Sequence, residues 1–264
     1  MKILVTGANG FVGSRIMDAL GTDAVAAPSL RNVNEADILH LVDRVQPDAV
    51  IHTAAISDIG TCERLPDASY KANVEIPVYI ARTGIKTVIF SSDQVYGGCT
   101  SEGPFPETET APANLYARQK MEMENRTLEC NPDTVLLQAT WMYDMPRYGT
   151  PNRGNFLVNM LFGERAVFSS TQHRAVTYVR EVAAHIGEAM TLPGGVYNYG
   201  SENAMTMLET AEWLKKTLNL RITLTDAGER CPLWMDCAKL KQAGIEFDNT
   251  ADGLLRCIKD YALA

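Results

Sequence analysis

The stretch KILVTGANGFVG, residues 2–13, decides the fold expected for this chain. Its first half is a short apolar run ending at Gly7, which predicts a buried β-strand. Gly10 and Gly13 follow at three-residue spacing, and the apolar pattern after them predicts a helix. Glycines between a strand and a helix let a pyrophosphate approach the backbone and the positive N-terminus of the helix. The stretch therefore predicts a dinucleotide-binding loop.

Further apolar runs alternate with helical patterns along the next 130 or so residues. The runs expected as strands are 23–29, 48–57, 86–92 and 133–143, and the helical patterns are 34–46, 63–83 and 115–129. Continuous apolar strands that alternate with helices are typical of a parallel sheet covered on both faces. The expected fold class is therefore α/β, with a doubly wound parallel-sheet Rossmann domain whose sites lie at the carboxyl ends of the strands.

The pattern loosens after residue 144, where residues 144–156 are rich in Pro, Gly and Arg. A helix is expected at 177–190 and a strand at 195–200. We expect the Rossmann domain to comprise residues 1–144 plus about 176–200. A small, interleaved C-terminal α/β substrate domain is expected from about 145–175 plus 201–264.

The composition argues against several classes of function. The 264 residues carry a formal net charge of −8 and no run rich in Lys or Arg, so nucleic-acid binding is not expected. No stretch of about 18 apolar residues is present, so no membrane span is expected. The N-terminal apolar run stops in glycines too early for a signal peptide, and a cytoplasmic protein is expected. The six cysteines form no Cys-x-x-Cys pair and the four histidines are scattered, so we expect reduced cysteines and no metal site.

The stretch NLYARQK, residues 114–120, places Tyr116 four residues before Lys120. On a helix these side chains lie on one face, one turn apart. A free tyrosine has a pKa of about 10 and is a poor acid near neutral pH, and a nearby ammonium group lowers that pKa. The spacing is compatible with acid chemistry and equally with an ordinary exposed helix face.

Several stretches together resemble the extended short-chain dehydrogenase/reductase superfamily in order and spacing. They are TGANGFVG (6–13), HTAA (52–55), SSDQVYG (91–97) and YARQK (116–120). Within that superfamily the chain is most similar to the dTDP-4-dehydrorhamnose reductase family, whose members act on nucleotide-linked keto sugars. The stretches that carry this narrower resemblance are AAISDIGTCE (54–63), SSDQV (91–95), ATWMY (139–143), RGNFLVNML (153–161) and LWMDCAKLKQAGIEF (233–247).

The resemblance implies a role for each site residue. Ser92 would hydrogen-bond the substrate carbonyl, and Tyr116 would protonate its oxygen while a nicotinamide delivers hydride to carbon. Lys120 would lower the pKa of Tyr116 and bond the nicotinamide ribose. The implied substrate residues are Ser92, Asp93 and Trp141. The implied cofactor-binding residues are Gly7, Asn9, Gly10, Phe11, Val12, Gly13, Arg31, Ala54, Ala55, Ser91, Tyr116 and Lys120.

The segment after the second expected strand bears on the choice of dinucleotide. An acidic residue there binds the adenosine 2′-hydroxyl of NAD, whereas an arginine favours the 2′-phosphate of NADP. Here Arg31 follows the strand and no acid occurs until Glu35. We expect NADP(H) to be preferred, with NAD(H) left open; an exposed loop arginine with no such role fits equally well.

The chain departs from the family pattern on the substrate side. Gln94 stands where the family commonly has Tyr, Gly60 where it has an acid, and Gln138 where it often has Arg; the stretch RCPLWMD (230–236) is also altered. These differences leave the identity of the sugar open. Four arginines are unranked candidates for contact with a nucleotide diphosphate: Arg147, Arg153, Arg174 and Arg230.

The expected function is an NAD(P)H-dependent reductase of a nucleotide-linked 4-keto sugar. The expected partner is this small molecule, and a homodimer is left open. An epimerase or dehydratase of the same superfamily is one alternative. Another is a non-catalytic NADP-binding regulatory subunit. The joint presence of Ser92, Tyr116 and Lys120 argues against that second alternative, because a purely binding module needs no acid.

Overall fold

The structure is a computed structural model that describes residues 1–147 and 154–263. The strands of this part of the chain are β1 Ile3–Thr6, β2 Ala24–Ala26, β3 Ala49–His52, β4 Lys86–Phe90, β5 Val135–Ala139, β6 Trp141–Tyr143, β7 Arg165–Phe168, β8 Val176–Tyr178, β9 Gly195–Tyr199 and β10 Thr223–Asp226. Six of them form a wholly parallel sheet in the order β2-β1-β3-β4-β5-β9. The prediction of an α/β fold around a doubly wound parallel sheet is confirmed.

Helices connect these strands. They are α1 Phe11–Leu20, α2 Glu35–Val45, α3 Ile59–Arg64, α4 Pro66–Tyr70, α5 Ile76–Ala81, α6 Leu115–Cys130, α7 Phe156–Phe162, α8 Val179–Ala184, α9 Ile186–Ala189, α10 Met207–Thr217, α11 Ala238–Gln242 and α12 Thr250–Asp260. A π-helical turn, Lys71–Glu75, joins α4 to α5. Throughout 1–147 and 154–263, no helix is both long and apolar enough to cross a membrane.

Side chains on alternate positions of β1 and β3 fill two separate cores. Val5 and Ile51 point to one face of the sheet and pack in the core that includes residues of α1, α8 and α9. Leu4 and Val50 point to the other face and pack against α2 and α5. This two-sided burial explains why the strands are continuous apolar runs rather than alternating ones.

The strand order reverses between β1 and β3. The chain runs from β1 outward to β2 and then crosses back to β3 on the other side of β1. The carboxyl ends of β1 and β3 lie side by side, with Thr6 opposite His52. A ligand crevice is expected at such a reversal, because the loops that leave the two strands diverge there.

Several predicted boundaries are wrong, for identifiable reasons. The second strand is Ala24–Ala26 rather than 23–29; the backbone N–H of Ala27 still bonds Val5, but Pro28 has no N–H to continue the ladder. The run 133–143 forms two strands, and the second of them, β6, pairs with β8 instead of the main sheet. The expected helices at 63–83 and 177–190 are each broken into shorter segments.

A further core lies outside the main sheet. It is built on two two-stranded sheets, β6–β8 and β7–β10, with α7, α10 and α12 packed on them. Tyr143 and Tyr178 stack in it with ring centroids 5.8 Å apart. Leu240 and Phe247, however, pack in the core of the main sheet although they come late in the chain. The proposed division into two domains stays a prediction.

A buried ion pair joins the first helix to the segment after β6. The Arg15 side chain on α1 lies 2.9 Å from the Asp144 carboxylate, and both side chains are almost fully buried. The Tyr261 hydroxyl, just after α12, donates to the same carboxylate at 2.7 Å. Asp144 therefore holds the start of the chain and its C-terminal helix together.

The Asp144→Ala variant is expected to lose about 3–5 kcal/mol of unfolding free energy, because the buried Arg15 guanidinium loses its carboxylate partner and keeps only neutral acceptors. Urea unfolding of the variant and the wild type measures this loss. The matched control is Asp18→Ala, which breaks an exposed ion pair between the same helix and Arg147. It should cost less than about 1 kcal/mol. Equal losses in the two variants would contradict the anchoring role of Asp144.

Candidate active site

The three proposed catalytic side chains lie at the carboxyl end of β4. Ser92 follows β4 and caps a short 3₁₀ turn, Asp93–Tyr96. Tyr116 and Lys120 lie on the buried face of α6, which begins after the Asn114 cap. Their exposed fractions are 8% for Ser92, 6% for Tyr116 and 2% for Lys120. The Tyr–Lys pair is therefore not part of an exposed helix face.

The glycine loop closes tightly between β1 and α1. Gly7 has a φ of 67°, and the backbone N–H of Gly10 bonds its carbonyl at 2.7 Å. A Cβ at Gly13 would lie only 2.1 Å from the Gly7 carbonyl oxygen. Gly10 forms the N-cap of α1 without a side-chain hydrogen bond, and the first turn contains no acid. The N-terminus of α1 thus presents its backbone N–H groups as a phosphate site would require.

The loop after β3 runs directly beside the glycine loop. Thr53 donates from its hydroxyl to the Thr6 carbonyl at 2.7 Å. A Cβ at Gly7 would meet Thr53 and Ala54 within 3.0 Å. Ala54 therefore lies against the glycine loop, while the cofactor-binding role expected for Ala54 and Ala55 stays a prediction.

The pKa of Tyr116 is raised above its ordinary value of 10, mainly because burial disfavours the phenolate. The Ser92 side chain, within hydrogen-bond reach, and the Arg174 guanidinium oppose this shift, and the Asp93 carboxylate adds to it. The sequence led us to expect a lowered pKa for Tyr116, but burial outweighs the neighbouring charges and the pKa is raised. The Lys120 ammonium bonds the Phe90 carbonyl at 2.7 Å and lies 5.8 Å from the Tyr116 ring centroid.

Burial raises the pKa of Tyr116 but lowers that of Lys120. It lowers the pKa of the ammonium group to about 8, against a smaller upward effect of the Glu124 carboxyl and the Cys62 thiol. Burial and the Lys120 charge also lower the pKa of His52 to about 3, so His52 is neutral. Lys120 is therefore a cation below pH 8 and loses its charge above it.

Asn73 is a site residue that the sequence reasoning missed. It lies in the π-helical turn, and its side chain bonds both the N–H and the carbonyl of Ile56 at 2.9 Å. It also donates to the Gln119 side chain at 2.9 Å, one residue before Lys120. Asn73 thereby fixes the loop after β3 against α6. No periodicity in the sequence marks it, because a π turn places its residues off the ordinary helical register.

The proposed substrate residues are joined through Arg174. Its guanidinium makes two hydrogen bonds with the Asp93 carboxylate, at 2.7 and 3.1 Å. The same guanidinium lies 5.4 Å from the centre of the Trp141 ring. Ser92 donates to Asp93 at 3.2 Å. Ser92, Asp93 and Trp141 are therefore neighbours.

A cleft of about 380 Å³ opens beside Trp141 and Arg174. Arg165 and Arg230 also line it. The structure thus separates the arginines that the sequence left unranked. Arg174 and Arg230 border the cleft, Arg147 pairs with Asp18 on α1, and Arg153 lies outside the described residues.

The remaining predicted residues differ in their surroundings. Arg31 is exposed in the turn after β2, and within 1–147 and 154–263 its guanidinium has no hydrogen-bond partner. Asn9 is exposed, while Phe11 and Val12 are half-buried at the start of α1. Ser91 donates to the Glu124 carboxyl and so turns toward α6. Among these described residues, no group of three or more His, Cys, Asp or Glu side chains is placed to hold a metal ion.

The parallel sheet with a glycine loop at its reversal point is the architecture of a dinucleotide-binding Rossmann fold. Residues 1–228 match the family model "RmlD substrate binding domain". The chain belongs to this family.

Known proteins show how far the similarity extends. A dTDP-4-dehydrorhamnose reductase of Burkholderia thailandensis is 30% identical over 70% of this chain and 69% of its own length. A methionine adenosyltransferase 2 subunit beta of Pongo abelii is 27% identical over 92% of this chain and 83% of its own. The solved dTDP-4-dehydrorhamnose reductase of Bacillus anthracis, in complex with NADP, superposes with a TM-score of 0.85 at 21% identity, covering 98% of this chain and 99% of that one. This last likeness shows the fold alone.

The Gly13→Ala variant is expected to weaken binding of the reduced dinucleotide at least roughly 10-fold, because its Cβ would push the Gly7 carbonyl out of the loop. Fluorescence titration with NADPH measures the change, and circular dichroism confirms that the variant is folded. Gly187→Ala is the control, since nothing lies within 4 Å of its added Cβ. Wild-type affinity in Gly13→Ala would remove this loop from the cofactor site.

Proposed function

We propose that the protein reduces the 4-keto group of a nucleotide-linked sugar with NADPH. The observation that carries the proposal is the buried cluster of Ser92, Tyr116 and Lys120 at the carboxyl end of β4, next to Asp93, whose partner Arg174 lines the cleft. The cluster supplies an acid for a carbonyl oxygen. The glycine loop suits a dinucleotide, and the cleft suits an anionic substrate. The relatives named dTDP-4-dehydrorhamnose reductase support this reading.

Tyr116 is the proton donor of the proposed reduction. Burial raises its pKa, so Tyr116 keeps its proton at neutral pH and gives it up only to an oxygen that gains negative charge during the reaction. Ser92, within hydrogen-bond reach of Tyr116, would hydrogen-bond the same oxygen. When bound, a nicotinamide supplies the hydride for the carbonyl carbon. The Lys120 cation then stabilises the phenolate that remains after the proton has left.

The cleft explains how a nucleotide diphosphate would be held. Arg165, Arg174 and Arg230 line it together with Trp141. Guanidinium groups bind phosphate oxygens in pairs, and the Trp141 ring offers a face against which a sugar packs. Arg165 and Arg230 come from the segments assigned to the substrate domain, 145–175 and 201–264. We propose that this domain contributes the diphosphate contacts and the Rossmann domain contributes the acid.

The preference for NADPH rests on Arg31. It is exposed after β2, at the edge of the sheet where the adenosine ribose lies in Rossmann folds. No acid occupies the preceding positions of this turn. The NADP bound to the Bacillus anthracis reductase supports the same preference.

A second candidate function is a nicotinamide-nucleotide-binding subunit without turnover. The relatives named methionine adenosyltransferase 2 subunit beta favour it, because they align with 92% of this chain. The intact and buried Ser92, Tyr116 and Lys120 favour the reductase. The epimerase or dehydratase alternative has only the superfamily fold in its support.

Turnover with a panel of nucleotide-linked 4-keto sugars separates these functions. The protein is titrated with NADPH and NADH by fluorescence, the sugars are added, and the absorbance of the reduced cofactor is followed. Oxidation of one equivalent of NADPH per sugar is expected for one member of the panel. Tight NADPH binding without oxidation by any sugar would favour the binding subunit, and sugar conversion without net oxidation would favour an epimerase.

The Tyr116→Phe variant is expected to bind NADPH normally and to lose about 10²–10⁴-fold in turnover, because only the proton donor is removed. Steady-state rates and the binding titration give the two readouts. Tyr197→Phe, which removes a hydroxyl bonded to the Pro193 carbonyl on the far strand of the sheet, serves as the control. A wild-type rate in Tyr116→Phe would overturn the assignment of the acid.

The Arg31→Ala variant is expected to weaken NADPH binding by about 1.5–3 kcal/mol, or roughly 10- to 100-fold, because a charge-assisted hydrogen bond to the 2′-phosphate is lost. Binding of NADH, which lacks that phosphate, should change little. The control is Arg44→Ala, which removes an exposed arginine from the end of α2. Equal effects on the two cofactors would exclude Arg31 from the site.

A further inference from the structure

A chain of buried polar side chains lies behind Lys120. Glu124 follows Lys120 by one turn on the buried face of α6 and is 6% exposed. Its Oε1 accepts a hydrogen bond from Ser91, and both of its oxygens lie 3.1 Å from the same end of the Gln138 amide. On the other side of the same amide group, Oε1 of Gln138 lies 2.6 Å from the Tyr96 hydroxyl oxygen.

The Tyr96 hydroxyl has more acceptors than it has protons. Its oxygen lies 2.6 Å from Oε1 of Gln138 and 2.7 Å from Oδ1 of Asn198. A phenol carries one proton and can donate to only one of these two oxygens. The three side chains are fully buried, so the second contact would set two lone pairs against each other without water to relieve them.

One of the two amides must therefore be rotated, so that its NH₂ group and not its oxygen faces Tyr96. This amide cannot be Asn198. Its Nδ2 donates to the carbonyls of Phe105 and Asp236, at 3.0 and 2.9 Å, which requires its oxygen to face Tyr96. Gln138 is therefore the amide to reverse, since oxygen and nitrogen of an amide are assigned from the hydrogen-bond network. Its NH₂ then donates to Tyr96, and Tyr96 donates to Asn198.

The reversed Gln138 presents its carbonyl oxygen to Glu124. That contact is a hydrogen bond only if Glu124 carries a proton and donates it. With a protonated Glu124, its Oε2 donates to Gln138 while its Oε1 accepts from Ser91. The links from Gln138 through Tyr96 and Asn198 to the Phe105 and Asp236 carbonyls then each have one donor and one acceptor. With a carboxylate, one contact of the chain is always repulsive.

We propose that Glu124 is a protonated, uncharged positioning residue, which holds Ser91 against α6 without neutralising the charge of Lys120. This inference rests on the proposed function, since it concerns the lysine of that site. Lys120 keeps its bond to the Phe90 carbonyl, and Ser91, the next residue, is held by Glu124. The two bonds fix the end of β4 against α6 and thereby fix Ser92 next to Tyr116.

The groups that face Glu124 agree with a neutral acid. From its own helix it faces Lys120, whose ammonium is directed to the Phe90 carbonyl. From β4 and β5 it faces the uncharged Ser91 and Gln138. Within 1–147 and 154–263 no cation donates a hydrogen bond to it. Burial raises the pKa of Glu124, against the smaller effects of Ser91, Gln138 and Lys120.

A neutral Glu124 lowers the pH at which Lys120 loses its proton and so affects the pH dependence of the reaction. Of the neighbouring groups that raise the pKa of Lys120, a charged Glu124 has the largest effect. Without that charge, the lysine titrates at or below pH 8 and not near its ordinary 10.5. The reduction is therefore expected to proceed fully below that pH and to decline as Lys120 loses its proton above it.

Infrared spectroscopy tests the protonation state directly and requires no turnover. A difference spectrum is taken at pH 7 by subtracting the Glu124→Gln spectrum from that of the wild type. It should show the carbonyl stretch of one protonated carboxyl. The matched control is Glu122→Gln on the same helix, whose exposed carboxylate pairs with Arg126; its difference spectrum should show a carboxylate band. A carboxylate band in the Glu124→Gln difference would overturn the proposal.

A second variant covers the case in which Glu124→Gln does not fold. Glu181 is another buried carboxyl whose pKa burial raises. The protonated-carboxyl band should persist at pH 7 in Glu181→Gln, because Glu124 still contributes to it. Loss of all such signal in Glu181→Gln would contradict the proposal. Both spectra remain informative if no sugar is reduced, so failure of the proposed function is distinguishable from failure of this inference.

The pH profile separates positioning from a purely structural role. The alkaline midpoint of NADPH oxidation should stay within about 0.3 pH units in Glu124→Gln, because a neutral group replaces a neutral group. A midpoint lowered by about 1–3 units would show that a negative charge had been removed from beside Lys120, and would contradict the proposal.

The Glu124→Ala variant should lower turnover at least roughly 10-fold, since it releases Ser91 and Gln138. The Glu124→Gln variant should restore most of that loss.

Discussion

The hydrogen bond from the Lys120 ammonium to the Phe90 carbonyl, 2.7 Å long, is the contact on which the rest of the site depends. It ties the buried face of α6 to the end of β4. A buried ammonium is costly unless it is bonded, and here one carbonyl at a strand end provides the bond. Because Tyr116 lies one turn before Lys120 and Ser92 two residues after Phe90, this single contact brings acid and serine together.

Burial is the common physical cause of the electrostatic properties of the site. It raises the pKa of Tyr116, so that the phenol keeps its proton, and lowers that of Lys120 to about 8, so that the amine is readily titrated. The Asp93 carboxylate is neutralised by its ion pair with Arg174, which lines the cleft. A tyrosine that remains protonated until a neighbouring oxygen gains negative charge has the properties of a proton donor in a carbonyl reduction.

The sequence allowed prediction of the features that depend on local pattern. The glycine loop, the parallel sheet and the helix with Tyr116 and Lys120 follow from spacing and periodicity. The features that depend on distant contacts were not predictable. Asn73 matters through a π turn, Arg174 through its bond to Asp93, and β6 through pairing with β8, which is 35 residues later in the chain. The direction of the Tyr116 shift was mispredicted because spacing shows a neighbouring charge but does not show burial.

The most direct test of the central claim is the fate of the hydride. The protein is incubated with NADPH that carries deuterium at the transferred position of the nicotinamide and with the nucleotide-linked 4-keto sugar, and the sugar product is examined by mass spectrometry and NMR. One deuterium on the new carbinol carbon is predicted, because the buried Tyr116 delivers only the proton on oxygen. Retention of all deuterium on a tightly bound dinucleotide, with the sugar unchanged, would contradict the claim and indicate a protein that binds the cofactor without using it.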